Sequence, residues 1–246
     1  MDYNYGNDWN QQNYQQPVFR RQPVFYNGVL NRTILNNESK YIFKQNYGNS
    51  LLAVLIPSLI SGGIGAVFGL IPIVGIGVTS IVGWILGTVL GVGVCYFMLE
   101  IIRGNWQASC GDIFHAFDNF GNVLGTMIVT DIFIGLWSCL FIIPGIYKSY
   151  CWSMVGYIIA DYPQMSGEQA RELSTRMMEG HKWELFILQI SFIGWFLLSV
   201  CTFGIFGIFY LNPWFSVCMA DYYDNLRMLY EAQMQQYNNY NYQQPQ

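Results

Sequence analysis

Two ionisable residues stand inside stretches otherwise fit for hydrocarbon. Asp131 separates "NVLGTMIVT" from "IFIGLWSCLFIIPGI", and Lys148 interrupts "IIPGIYKSYCWSMVGYIIA". A carboxyl group about nine residues into an apolar helix lies roughly 14 Å deep, near the bilayer midplane. Ionised, it costs ~2.5–3.5 kcal/mol there, so it is expected to face a bundle interior or to keep its proton. That makes Asp131 the candidate transport or relay residue. The plainer reading is a neutral acid hydrogen-bonded to a neighbouring Thr, Ser or carbonyl. Lys148 lies about one turn past the bend at "IIPGI", where its stem snorkels to the headgroups, so it is the candidate interfacial anchor. Measured from the shared bend, the two are about 12 Å apart along the axis, too far for a comfortable pair.

Little else offers chemistry. The two histidines, His115 and His181, are far apart, with no HExxH and no carboxylate or cysteine set at ligand spacing. The six cysteines form no CxxC, and they read as small packing residues rather than disulfides or metal ligands. No GxSxG marks a nucleophile. "GGIGAVFG" has no lysine and follows no strand, so it is no nucleotide loop. No catalytic, cofactor-binding or metal-binding residue is expected, and the chain reads as a non-enzyme.

The elements that carry Asp131 and Lys148 follow from composition. Hydrophobic residues make up 53% of the 246 and charged ones 11%, against about 25% charged in a soluble domain. The net charge of −4 argues against nucleic acid as a partner. Nearly uncharged runs, Asn46–Leu99, Asn122–Ser149 and Leu185–Ala220, read as transmembrane helices. The first 26 residues are polar and hold no apolar leader, so the first span is expected to act as an uncleaved insertion signal.

We read an all-α polytopic bundle of six spans in three hairpins: about Ser50–Ile71 with Gly77–Ile102, Asn122–Ile142 with Tyr147–Ala160, and Trp183–Phe203 with Ile205–Leu226. Pro and Gly mark the bends. Half-polar stretches precede each hairpin at Asn31–Asn46, Asp112–Phe120 and Ser166–Glu179, and they are expected to be cytoplasmic amphipathic surface helices. In the last, Ser166 and Gln169 suit a capping box, Glu172 and Arg176 an i,i+4 pair, and Ala170, Leu173 and Met177 one apolar face. Gly180 suits a helix stop.

The fourth span is short, and a re-entrant loop competes with it. With six spans and a cytoplasmic N-terminus, Arg20, Arg21, Arg32, Lys40, Lys44, Arg103, Arg171, Arg176, Lys182 and Arg227 fall inside and only Lys148 outside. The positive-inside rule favours that arrangement, with both termini cytoplasmic. Tyr147, Tyr150 and Trp152 then suit the outer aromatic belt, and Tyr47, Trp106, Trp183, Tyr222 and Tyr223 the inner one.

Residues 1–30 and 229–246 flank the 31–228 membrane domain. Both are rich in Asn, Gln and Tyr and are expected to be disordered. The first repeats "QPVF" at Gln16–Phe19 and Gln22–Phe25, either a short docking motif or a local duplication without function. Ser61, Gly65 and Gly69, and again Gly83, Gly87 and Gly91, recur every four residues. Such small-residue ridges let helix backbones approach closely, here inside the first hairpin or against another copy of the chain.

"LWSCLFIIPGIYKSYCWSMVGYIIADYP" (Leu136–Pro163), "GHKWELFILQISFIGWFLLS" (Gly180–Ser199) and "PWFSVCMADYYDNL" (Pro213–Leu226) resemble a family of six-span bacterial membrane proteins, domain of unknown function 975. The resemblance implies six spans and a bacterial source, and it brings no reaction and no site residues. The expected partners are membrane lipids, other membrane proteins or a second copy. A non-enzymatic binding protein of the cell membrane is the leading reading. A small-solute or proton-coupled transporter using Asp131 is the alternative.

Overall fold

A computed structural model describes residues 24–26, 28–69, 75–105 and 108–242. Its helices follow the expected order: α1 (Arg32–Gln45), α2 (Tyr47–Gly69), α3 (Gly75–Ile102), a 3-10 helix (Cys110–Phe117), α4 (Phe120–Leu140), α5 (Ile142–Cys151), α6 (Val155–Asp161), α7 (Gly167–Met177), α8 (Lys182–Ser191), α9 (Ile193–Cys201) and α10 (Asn212–Tyr242). Among the described residues three stretches are long and apolar enough to cross a membrane: Ser80–Ile102, Phe120–Leu140 and Lys182–Cys201.

The fourth segment departs from expectation. It begins at Ile142 rather than Tyr147 and is broken at 152–154 between α5 and α6. Its two pieces run back along α4: Gly145 lies against Ser138, and the Phe133 and Trp152 rings are 6.2 Å apart. At the far end, Asn122 Nδ2 donates to the carbonyls of Pro163 and Met165, both at 2.8 Å. α7 closes the break. The buried Ser174 hydroxyl donates to Cys151 O at 2.8 Å and accepts from Met154 N–H at 3.3 Å. Two backbone groups stranded by the interrupted helix are thereby satisfied.

α7 has the capping box expected of Ser166 and Gln169, buries Ala170 and Met177, and pairs Arg176 with Glu172 at 2.7 Å. Gly180 ends the turn that follows at φ +84°. α1 likewise buries one face, through Leu35, Ser39, Ile42 and Phe43. It lies antiparallel along the start of α10. Cys218 Sγ donates to Asn36 Oδ1 at 3.7 Å, the Phe43 and Tyr210 rings are 5.3 Å apart, and Tyr47 Oη donates to Phe209 O at 3.0 Å. Both half-polar helices therefore pack on other helices, and α1 runs beside the segment read as the sixth span.

The tails also depart from expectation. Phe25–Tyr26 and Val29–Leu30 form an antiparallel hairpin, although composition placed them in a disordered tail. α10 continues without a break past 228 to Tyr242, where the second tail was expected. Its Asn/Gln composition does not stop a helix already nucleated and packed at its start.

The glycine ridge of α3 is not what closes the first hairpin. α2 and α3 do pack together, but a Cβ on Gly83, Gly87 or Gly91 would meet open space. Gly65 and Gly69 lie in α2, and Ser61 is half-buried. The close approach falls at Gly93, where a Cβ would overlap the Ile113 carbonyl of the 3-10 helix.

Candidate functional site

The core concentrates at one end of the bundle, and charges are buried within it. Arg103 follows α3, Asp161 ends α6, and Asp224 and Arg227 lie one turn apart on α10. Arg103 grips Asp161 with both terminal nitrogens, at 2.6 and 2.8 Å, and its Nε donates to Asp224 at 3.0 Å. Arg227 Nη1 donates to Asp161 at 3.3 Å and to the Tyr162 hydroxyl at 3.2 Å. Its Nη2 lies 3.7 Å from Asp224, and its Nε 3.7 Å from Glu231. Tyr223 Oη donates to Asp161 at 3.2 Å. The Asp161 and Asp224 side chains are 2% and 6% exposed, so these are buried pairs.

Such a cluster is held by mutual compensation. Burial opposes the Arg103 charge, but the hydrogen bonds and charge of Asp161, with Asp224, outweigh it and raise its pKa. For Arg227, burial and the like charge of Arg103 act downward, yet Asp161, Tyr162 and Asp224 carry it upward. Both guanidinium groups stay charged, and both have donors engaged within the chain. The arrangement is a three-element clamp joining α3, α6 and α10. Opposite charges at the ends of the first, second and third expected hairpins are the available sequence signal. Tyr223 and Tyr222, read as interfacial, are fully buried instead. The first serves the clamp, and the second donates to the His181 carbonyl at 3.3 Å.

The sequence candidates lie elsewhere. Asp131 sits on the exposed face of α4, because the inward positions are taken by Val123, Thr126 and Thr130. The expected inward carboxyl is therefore not found, and the Thr130 hydroxyl bonds Thr126 O rather than Asp131. Lys148 is half-buried, with Nζ 5.2 Å from the centre of the Trp152 ring, so it folds onto the helix instead of extending from it. Lys182, assigned to the opposite membrane face, has its Nζ 5.0 Å from the Tyr147 ring. The structure thus brings Lys148, Lys182 and an aromatic set together and leaves Asp131 outside it.

A cavity of about 10 Å³ lies between α3, the 3-10 helix, α4 and α6, lined in part by Tyr96, His115 and Asn119. That is space for roughly one water. His115 Nδ1 faces Asp118 at 2.7 Å, and His181 Nδ1 faces Glu184 at 2.8 Å. Among the described residues no group of three His, Cys, Asp or Glu is arranged for a metal.

Residues 30–147 and 140–230 match the family described as protein of unknown function (DUF975). The chain belongs to this family. The two matches meet at the α4–α5 turn and together take in the whole clamp, while Val24 and Phe25 lie outside them. No match to a curated protein or to a solved structure was found.

Proposed function

We propose that this DUF975 chain is a six-span cell-membrane protein that catalyses no reaction and binds protein partners or lipids. Its polar end and both tails face the cytoplasm in this reading. One observation carries it. Large apolar side chains crowd the exposed surface of the α4–α5 and α9–α10 turns, while charged residues are paired and buried at the other end. Ile143 is 80% and Phe203 96% exposed, a surface suited to lipid rather than water. The position of Asp131 on an outer face weighs against a relay through the interior of a single chain.

Purification from native membranes, with mass spectrometry of co-purifying proteins and lipids, tests the reading. A stoichiometric protein lost on removal of residues 1–23 supports it. Solute or proton flux in proteoliposomes that Asp131→Asn abolishes would replace it with the transport reading. Topology has its own check. Impermeant thiol labelling of Ile143→Cys, at the α4–α5 turn, and of the exposed Glu168→Cys, at the start of α7, in a background without native cysteines, is expected from opposite sides. Labelling of both from one side makes the fourth segment re-entrant.

A further inference from the structure

Two lysines expected on opposite membrane faces share one surface of the chain. Lys148 Nζ, on α5, lies 5.2 Å from the centre of the Trp152 ring. Lys182 Nζ, at the start of α8, lies 5.0 Å from the ring of Tyr147, the residue before Lys148. The two helices are pinned together further on, where Tyr150 Oη donates to Gln189 Oε1 at 2.9 Å and the Tyr150 ring meets Phe186 edge-on at 6.0 Å. Neither lysine has a carboxylate partner among the described residues. Glu184, the acid nearest Lys182 in sequence, is taken by His181 Nδ1 at 2.8 Å and by the Leu30 N–H at 3.1 Å. A ring face answers part of an ammonium charge but accepts no strong hydrogen bond, so the donors of both lysines are left for an anion.

We propose that Lys148 and Lys182 form the headgroup site of an anionic phospholipid, which rests on the lipid-binding reading above and names the lipid class. A phosphodiester offers two non-bridging oxygens, one for each ammonium, and charge-assisted bonds of this kind are the strong ones. The neighbouring side chains select an amphiphile over a soluble anion. Ile143 stands one turn before Tyr147 on α5, and Ile190 one turn after Phe186 on α8. Both are exposed, as are Tyr147 and Trp183. Acyl chains cover such a surface, whereas inorganic phosphate leaves it in water. Tyr147, and Trp183 stacked on Phe186 at 5.0 Å, are the amphipathic rings that sit at headgroup level in a bilayer. A choline headgroup brings its own cation against the two lysines, so a glycerol headgroup, with its net negative charge, is favoured over it.

Native mass spectrometry of the full chain in detergent, titrated with phosphatidylglycerol or phosphatidylcholine, tests this. Wild type is expected to bind its first phosphatidylglycerol about tenfold or more tightly than phosphatidylcholine. Lys148→Gln and Lys182→Gln are each expected to weaken phosphatidylglycerol by about fivefold, and together by about thirtyfold, with phosphatidylcholine unchanged. K148R/K182R keeps both charges and is expected to keep the preference. The exposed Lys40 and Lys44 of α1 supply the charge-matched control, so K40Q/K44Q is also expected to keep it. Where the double glutamine variant does not fold, the two single variants decide. An undiminished preference without the two lysines overturns the proposal, as does an equal loss in K40Q/K44Q, which makes the preference one of net charge. Displacement of the lipid by glycerol phosphate at equal concentration also overturns it, because the site then takes a soluble anion. Lysine-dependent preference in a chain that also shows Asp131-dependent flux supports the site while ending the non-transport reading. Absence of preference in a chain that holds a protein partner overturns the site alone.

Discussion

At the polar end, two arginines and two aspartates from three separated segments pair within 4 Å, with the aspartates buried and the arginines mostly so. At the apolar end, the turns after α4 and α9 present isoleucine, leucine and phenylalanine outward with little packed against them. The two ends are held by different physics. The polar end is fixed by directional bonds whose loss strands a buried charge. The apolar end gains little from contacts within the chain, and under the proposed membrane reading it takes its stability from lipid. Substitutions therefore have opposite consequences at the two ends.

The largest contrast is expected from the clamp. Asp161→Ala leaves Arg103 and Arg227 without their shared carboxylate, a loss of about 3–5 kcal/mol for a broken buried pair. Phe203→Ala, at the apolar turn, is expected within about 0.5 kcal/mol. Denaturant unfolding of the two variants in one detergent measures both, and comparable losses would abolish the distinction between the ends.

The glycines of α3 carry the same comparison within one helix. Gly93→Ala forces a methyl group into the Ile113 carbonyl, at a cost of about 1–3 kcal/mol for overpacking. Gly87→Ala enters open space and is expected to be neutral or to stabilise by up to about 1 kcal/mol through helix propensity. A destabilising Gly87→Ala in membranes, alongside a neutral effect in dilute detergent, would reveal a lipid-phase neighbour at that face. Ser174→Ala comes next. It unpairs Cys151 O and Met154 N–H at the α5–α6 break, for about 1–3 kcal/mol. Faster amide exchange at Met154 with little change at Asp161 is the expected sign.

These residues mark where sequence reading succeeds and where it stops. Hydropathy alone located α2, α3 and α4 to within a few residues, because long apolar runs admit few other structures. The cap of α7 was equally legible, since Ser166 and Gln169 act locally. Asp161 and Asp224 were not, because their partners lie 58 and 121 positions from them at Arg103. Spacing by four in Gly83, Gly87 and Gly91 says that a face is smooth, but not what lies opposite. The hairpin at Phe25–Leu30 has a local signal. "NG" between "VFY" and "VL" is a hairpin pattern, masked by the Asn/Gln-rich chain around it.

The smallest effect sits where the clamp meets solvent. Glu231 faces Arg227, and its side chain is 49% exposed. Burial raises its carboxyl above the ordinary 4.5, with Arg227 acting against the shift. Between 4.5 and that raised value the folded chain binds more proton than the unfolded one. The contribution of Glu231 to stability therefore falls as pH rises through this window, the opposite of the usual ion-paired carboxylate. Glu231→Gln is expected to flatten that slope and to leave unfolding at neutral pH nearly unchanged, since an exposed pair contributes little. A difference between wild type and Glu231→Gln of the other sign would mean that Arg227 dominates Glu231. The buried clamp would then extend one turn further along α10 than its exposure suggests.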